Sequence, residues 1–351
     1  MADPVVASPS LLDRLAAGPV ICAEGYLFEF ERRGYLQAGA FVPEVVLEHP
    51  DMVAQLHREF VHAGSDIVEA FTYYAHREKL RVIGKEHLLE QMNRQALSIA
   101  SDVARETGAL LAGDICNTNV FSPDDESRAA VRRMFEEQVG WAVEAGVDLI
   151  IAETISWGEE ALIALDVIRQ TGKPAVVTLS VHQAEETREG WSIPETCAKL
   201  EAAGADVVGV NCIRGPQTML PLVTAIREAV SCHVAALPVP YRTTPEQPSF
   251  QSLRDPHYLD APGGRPFPTA LDPFVCNRYE IADFARDAYA AGARYLGVCC
   301  GAGPHHIRSM AEALGRTPPA SRFSPDLSKH AFLGTDPTLK QNNRDYVAET
   351  Y

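Results

Sequence analysis

The chain has 351 residues, of which 46% are hydrophobic and 22% are charged, and this composition excludes a disordered or collagen-like protein. Its 31 Lys and Arg residues against 47 Asp and Glu residues give a formal net charge of −16. Because binding to phosphates needs clustered cations, we expect no binding to nucleic acid or to an anionic membrane. The sequence has no secretory signal pattern and no apolar run long enough to span a bilayer, so it predicts a cytoplasmic protein.

Short apolar runs rich in Val, Ile and Leu recur from residue 19 onward, and a longer amphipathic stretch follows each of them. Continuous apolar runs are typical of parallel strands that are covered on both faces. The predicted strands are Pro19–Gly25, Asp66–Tyr73, Ala109–Ile115, Asp148–Thr154, Pro174–Val181, Asp206–Cys212, His233–Val239 and Tyr295–Cys300. The predicted helices are Pro50–Ala63, Leu88–Thr107, Arg132–Glu144, Glu159–Thr171, Pro194–Ala203, Pro216–Val230, Arg278–Ala291 and Pro304–Leu314.

Eight strands alternating with eight helices is the pattern of a (β/α)₈ TIM barrel. The competing architecture, an open doubly wound sheet, usually carries a glycine-rich phosphate loop after its first strand, and this sequence has none there. We therefore predict an α/β fold with a single barrel over residues 11–316. A long proline-rich loop, residues 241–276, follows strand 7, and a C-terminal extension covers residues 317–351. This tail is either a disordered terminus or a segment for oligomerisation or a lid; the family resemblance described below adds an arm for the donor site.

Three of the eight cysteines fall at the carboxyl ends of predicted strands 6 and 8. Active sites of barrels form where strands end, so Cys212, Cys299 and Cys300 are expected to converge at one mouth. The adjacent pair can point at one atom only if the strand breaks there, and Gly301 provides the break. Three thiolates with an open fourth position describe a catalytic zinc site, whereas a lone buried cysteine is usually a small hydrophobic residue.

Acidic and aromatic side chains lie at neighbouring strand ends. Glu24 and Glu153 interrupt apolar runs, and a buried carboxylate needs a cation or a hydrogen-bond donor, such as the ammonium group of an amino-acid thiol. Phe41, Tyr73 and Tyr74 flank the first two strand ends, where aromatic faces attract a quaternary ammonium group. The alternatives are solvated glutamates and ordinary packing of the rings.

The motifs GVNC at 209–212 and GVCCGAGPHHIR at 297–308, with the segment from Arg33 to Leu80, resemble the zinc-dependent homocysteine S-methyltransferase family. The resemblance implies methyl transfer to the sulfur of homocysteine, which gives methionine, with Zn²⁺ as the cofactor. It implies that the zinc ligands are Cys212, Cys299 and Cys300, that homocysteine binds to Glu24, Gly25, Thr72 and Glu153, and that the donor binds to Phe41, Tyr73 and Tyr74. It also gives Arg344 as a candidate cation in the tail.

The chain departs from the family pattern at three places. Glu24-Gly25-Tyr26 stands where the family has Asp-Gly-Gly, Phe41 replaces a tryptophan, and Thr154 replaces a tyrosine. The expected donor is a quaternary ammonium compound, with glycine betaine as the first candidate and a sulfonium compound such as S-methylmethionine as the alternative. A non-catalytic barrel that binds zinc or undergoes redox chemistry is an alternative of another class. The expected partners are homocysteine and the onium donor, and we also expect a homo-oligomer.

Overall fold

The computed structural model describes residues 9–257 and 265–350. At its centre, eight parallel strands form a closed barrel in chain order. Cys22 lies opposite Ile67 on one side and opposite Gly297 on the other, so the first strand joins the last and closes the ring. The predicted (β/α)₈ barrel is confirmed. The strands are β1 (Val20–Ala23), β2 (Ile67–Glu69), β3 (Leu110–Cys116), β4 (Leu149–Ile155), β5 (Ala175–Leu179), β6 (Val207–Asn211), β7 (His233–Leu237) and β8 (Ala293–Val298).

Helices surround the barrel and bury their apolar faces against the outward side chains of the strands. Where helices were predicted, the observed ends lie within two residues of the expected ones, with one exception. Helix α7 begins at Asp125 rather than Arg132, because the Asp124 carboxylate accepts a hydrogen bond from the Ser127 N–H at 2.9 Å and caps its first turn. The helices are α1 (Leu11–Ala17), α2 (Tyr26–Arg32), α3 (Val45–Glu48), α4 (Pro50–Ala63), α5 (Arg77–Val82), α6 (Leu89–Thr107), α7 (Asp125–Glu144), α8 (Gly158–Arg169), α9 (Ile193–Ala202), α10 (Pro216–Ala229), α11 (Arg278–Ala290), α12 (Pro304–Ala313) and α13 (Gln341–Thr350).

Strand β2 is shorter than predicted. It ends at Glu69 rather than Tyr73, because the chain turns there: the Thr72 N–H donates to the Ala70 carbonyl at 2.7 Å, and the Ala75 N–H donates to the Thr72 carbonyl at 2.8 Å. The segment that follows β2 therefore lies over the mouth of the barrel instead of continuing along the sheet.

Helix α1 is absent from the sequence prediction. Ser10 caps it, because the Ser10 hydroxyl accepts from the Asp13 N–H at 3.3 Å and the Asp13 carboxylate accepts from the Ser10 N–H at 3.0 Å. Leu11 and Leu15 are buried in the same cluster as interior strand residues such as Val20. The helix therefore covers the amino-terminal end of the barrel.

The tail after α12 contains two 3₁₀ turns, Pro319–Phe323 and Leu327–Lys329, and helix α13. Arg316 joins its start to the barrel through two hydrogen bonds to the Asp66 carboxylate, at 2.6 and 2.7 Å. Of the predicted loop 241–276, residues 258–264 lie outside the described residues. In the described part of the chain, no helix is both long and apolar enough to cross a bilayer.

Candidate active site

Three cysteine sulfurs converge at the carboxyl end of the barrel. The Sγ atoms of Cys212, Cys299 and Cys300 lie within 4.8 Å of one another. The end of β7 contacts both parts of this cluster. The Cys212 N–H donates to the carbonyl of Leu237, the last residue of β7, at 2.8 Å, and the Cys299 N–H donates to the carbonyl of Pro238, the residue after it, at 2.9 Å. The structure thus brings together the three residues that the sequence predicts as zinc ligands.

The cysteine pair is followed by a tight turn at Gly301, whose φ of 94° lies in the left-handed region. Tyr241 packs against this turn, and Arg32 connects the two. The Arg32 guanidinium donates to the Tyr241 hydroxyl at 2.8 Å and to the Gly301 carbonyl at 3.2 Å. The turn that directs Cys299 and Cys300 toward Cys212 is therefore braced from helix α2 and from the loop after β7.

The thiols of the cluster share their protons unequally. Hydrogen bonds from the thiols of Cys299 and Cys300 hold the pKa of Cys212 well below its usual range. Burial raises the pKa of Cys299, and the hydrogen bond to Cys212 raises the pKa of Cys300. These hydrogen bonds therefore favour the thiolate form at Cys212 over the thiolate forms at Cys299 and Cys300. Within residues 9–257 and 265–350, no fourth His, Cys or carboxylate joins this cluster of three.

A small acidic cavity adjoins the sulfurs, and Asn211 links two of its carboxylates. The Asn211 amide donates to Glu153 Oε2 at 2.5 Å and to Glu24 Oε2 at 3.2 Å, and its oxygen accepts from the Thr154 N–H at 2.9 Å. Glu24 and Glu153 are both buried. Desolvation raises the pKa of Glu153 to about 8 and that of Glu24 well above its usual range. Burial therefore disfavours the charged form of both carboxyl groups.

Two further carboxylates line the same cavity, Glu69 at the end of β2 and Asp114 in β3. The sequence analysis did not assign either residue to the site. Each interrupts an apolar run, as Glu24 and Glu153 do, so the same signal was available for them. The full lining is Glu24, Tyr26, Leu27, Glu69, Ala70, Phe71, Tyr73, Asp114, Glu153, Cys299 and Cys300.

A second, larger cavity of about 400 Å³ lies beside the first and shares Tyr73 and Cys300 with it. Cys212 also lines this cavity, so the sulfur cluster separates an acidic space from an aromatic one. The predicted donor residues Phe41, Tyr73 and Tyr74 all line it. Five more rings were not predicted, because they come from α2, from the segments after β3 and β4, and from the loop after β7: Phe28, Phe121, Trp157, Phe250 and Phe267.

Backbone strain is concentrated in the larger cavity. In the described part of the chain, six residues other than glycine have a positive φ, and all six line this cavity. Such conformations cost about 1–3 kcal/mol each and cluster at functional sites. They are Phe41, Tyr74, Asn119, Thr154, Cys212 and Ile213.

Three predicted residues line neither cavity. The Thr72 hydroxyl is occupied, since it donates to the Asp114 carbonyl at 2.7 Å. Gly25 packs against the cysteine turn, where a Cβ atom would lie 2.3 Å from the Ala302 carbonyl oxygen. Arg344 donates to the Asp336 carbonyl at 2.6 Å, within the tail. These three residues contact other parts of the protein and do not line either cavity.

The chain is similar in sequence to known methyltransferases. The family model described as Homocysteine S-methyltransferase matches residues 25–314. The chain is 39% identical to betaine--homocysteine S-methyltransferase 1 of Danio rerio, over 98% of this chain and 84% of that protein. It is 35% identical to S-methylmethionine--homocysteine S-methyltransferase BHMT2 of Pongo abelii, over 96% of this chain and 91% of that protein.

Among solved structures, the metallated form of the homocysteine methyltransferase MmuM from Escherichia coli has the same fold, with a TM-score of 0.66 and 17% identity, over 85% of this chain and 97% of that one. The fold and the site are those of a barrel enzyme with a cysteine cluster at the carboxyl end of its strands, between an acidic and an aromatic cavity. The chain belongs to the homocysteine S-methyltransferase family and is a methyltransferase. This finding confirms the predicted family and sets aside the alternative of a non-catalytic barrel.

Proposed function

We propose that the chain transfers a methyl group from a quaternary ammonium donor, with glycine betaine as the first candidate, to the thiolate of homocysteine, which becomes methionine. The observation that carries this proposal is the position of Cys212, Cys299 and Cys300 between an acidic cavity and an aromatic cavity. An aminothiol acceptor and a methylated onium donor need these two environments on either side of one sulfur-binding centre.

We assign Zn²⁺ to Cys212, Cys299 and Cys300 as the cofactor. Three soft sulfur donors within 4.8 Å of one another fit this ion, and the open fourth position suits an incoming thiol. When bound, the ion would lower the pKa of that thiol and keep it as a thiolate.

The protein's own residues position the two reactants. Glu24 and Glu153, joined by Asn211, hold the acceptor's ammonium group, and the rings that include Phe41 and Tyr74 hold the donor's cationic head. In the displacement, a C–S bond forms as the donor's C–N bond breaks, and the electron pair stays on the nitrogen. Because the leaving group departs neutral, no general acid is required, and positioning supplies most of the acceleration.

A sulfonium donor is the second candidate, because the same aromatic faces attract a dimethylsulfonium cation. A relative with 35% identity carries the name S-methylmethionine--homocysteine S-methyltransferase BHMT2. We also propose that the chain assembles as a homo-oligomer through its tail. A cytoplasmic location belongs to the same proposal, since the thiols must stay reduced.

The test combines metal analysis with a donor panel. The protein, purified under reducing conditions, should carry about one zinc ion per chain. Among glycine betaine, S-methylmethionine and dimethylsulfoniopropionate, it should methylate homocysteine fastest with glycine betaine. The Cys299→Ala variant should lose both zinc and turnover while its circular dichroism spectrum is retained. The control Cys197→Ala removes a buried thiol from α9 and should keep both. Full activity in metal-free protein would refute the zinc assignment.

A further inference from the structure

The small cavity holds two more carboxyl groups than Glu24 and Glu153. Glu69 and Asp114 are 2% and 4% exposed, and they face the same space as Glu24 and Glu153. No lysine, arginine or histidine lines this cavity in the described part of the chain. Four buried carboxylates without a cationic side chain are costly, so the cavity is built for a positively charged ligand.

Three of the four carboxylates have an oxygen atom without a hydrogen-bond partner. These buried atoms are Glu24 Oε1, Glu69 Oε1 and Asp114 Oδ1. Glu153 differs, because its Oε2 atom already accepts from the Asn211 amide and the Thr154 hydroxyl. Buried acceptors are almost always paired, so the three free oxygens point to a ligand that donates hydrogen bonds.

The carboxyl groups lie close enough together for neighbouring ones to share one ammonium nitrogen. Carboxylate oxygens of Glu69, Asp114 and Glu153 lie within 4.8 Å of one another, and an oxygen of Glu24 lies within the same distance of Glu69. Donors directed tetrahedrally from one nitrogen, with N···O distances of about 2.8 Å, place their acceptors about 4.6 Å apart. The free space is about 10 Å³, room for one group the size of a water molecule.

We propose that Glu69 and Asp114 complete the binding site for the ammonium group of the acceptor, and that they make the enzyme select thiols with a free α-ammonium group. This inference rests on the proposed function, which places the acceptor sulfur at the cysteine cluster and its ammonium group among Glu24 and Glu153. The two added carboxylates lie on β2 and β3 and line the same cavity, and they supply acceptors that Glu24 and Glu153 alone do not.

The experiment pairs two enzyme variants with two acceptors. Glu69→Gln and Asp114→Asn keep the shape of each side chain and remove its charge. The dissociation constants of homocysteine and of 4-mercaptobutyrate, which lacks only the amino group, are measured by calorimetry on the zinc-loaded protein. We expect each variant to bind homocysteine about tenfold more weakly or worse, and to bind 4-mercaptobutyrate as the unmodified protein does. The KM of the donor and the zinc content should stay unchanged.

The remaining outcomes separate this inference from the proposed function. Equal weakening for both acceptors, or no weakening for homocysteine, would overturn the role of Glu69 and Asp114 while methyl transfer stands. If homocysteine binding depends on added KCl or MgCl₂ and loses that dependence in Glu69→Gln, the carboxylates bind a metal ion. That result would overturn their proposed role in binding the ammonium group. An unmodified protein that methylates no thiol would refute the proposed function itself. Because each substitution removes a buried ionisable group from a cluster of carboxyl groups, both variants should melt no lower than the unmodified protein.

Discussion

The Tyr241 hydroxyl occupies the space into which a side chain at position 301 would extend. A Cβ atom built on Gly301 would lie 2.2 Å from that oxygen and 2.7 Å from Cζ of the ring. Tyr241 is buried, and its hydroxyl accepts from Arg32, so the ring has no room to retreat. The close approach of these two residues fixes the turn that presents the cysteine pair.

The Gly301→Ala variant should therefore lose both stability and zinc. A left-handed alanine costs about 1–2 kcal/mol, and the overlap with Tyr241 adds about 1–3 kcal/mol. Urea denaturation and metal analysis measure the two effects. In the control Gly146→Ala, position 146 also has a positive φ, of 77°, but no atom lies within 4 Å of the added carbon. This variant should therefore lose only the free energy of unfolding that a left-handed alanine costs, and it should retain zinc. Equal costs at both positions would remove Tyr241 from the explanation.

Phe41 tests the aromatic cavity. Its ring lies 5.8 Å from that of Phe28, and it lines the larger cavity but not the smaller one. The Phe41→Ala variant should raise the KM of the cationic donor about 2- to 30-fold, the equivalent of one cation–π contact of about 0.5–2 kcal/mol. The KM of homocysteine should change less than about twofold.

Steady-state kinetics with both substrates varied measure the two KM values for the Phe41→Ala variant. As a control, Tyr279→Ala removes a ring from α11 that is 63% exposed, and it should change neither constant. If Phe41→Ala weakened both substrates equally, the ring would be a packing residue rather than part of a donor site.

Arg316 tests the connection between the tail and the base of the barrel. The Asp66 carboxylate that it contacts also accepts from the Ile21 N–H at 2.8 Å, so the pair ties the chain after α12 to β1. The Arg316→Met variant should lower the free energy of unfolding by about 1–3 kcal/mol without changing either KM. By contrast, Arg105→Met breaks an ion pair with Asp102 in which both side chains are largely exposed, and it should cost at most about 0.5 kcal/mol. Urea denaturation compares the two, and equal losses would contradict the anchoring role.

The tail exposes large apolar side chains, among them Phe332 and Leu333, which are 51% and 58% exposed. If these side chains pack against those of a second copy of the chain, the double variant Phe332→Ser/Leu333→Ser should reduce the mass measured by light scattering to that of one chain. Val82→Ser, which changes an apolar residue on α5 that is 61% exposed, should leave the assembly intact. An unmodified protein that is monomeric at micromolar concentration would contradict the proposed homo-oligomer.

The alternation of apolar runs with amphipathic stretches was sufficient to predict the barrel, because burial on both faces leaves a strong local signal. The predicted strand ends were also sufficient to bring Cys212, Cys299 and Cys300 together, because the carboxyl ends of all barrel strands meet at one mouth. Helix α1 was missed although Ser10 and Asp13 form a capping box, since only two of its side chains, those of Leu11 and Leu15, are buried.

The lining of the larger cavity was harder to predict than the cysteine cluster. Phe121, Trp157 and Phe250 come from three separate loops, and nothing in their local sequence distinguishes a cavity wall from packing. For Thr72, the resemblance predicts a binding role, and the fold shows in addition that its hydroxyl donates to the Asp114 main-chain carbonyl. Such hydrogen bonds join segments that are far apart in the chain, so they are invisible in a local pattern.

The helix that covers the base of the barrel with Leu11 and Leu15 leaves the opposite end for traffic. The two cavities meet at that carboxyl end, where they share Tyr73 and Cys300. Under the proposed function, acceptor and donor therefore approach through one entrance, and each product leaves by the route on which its substrate arrived.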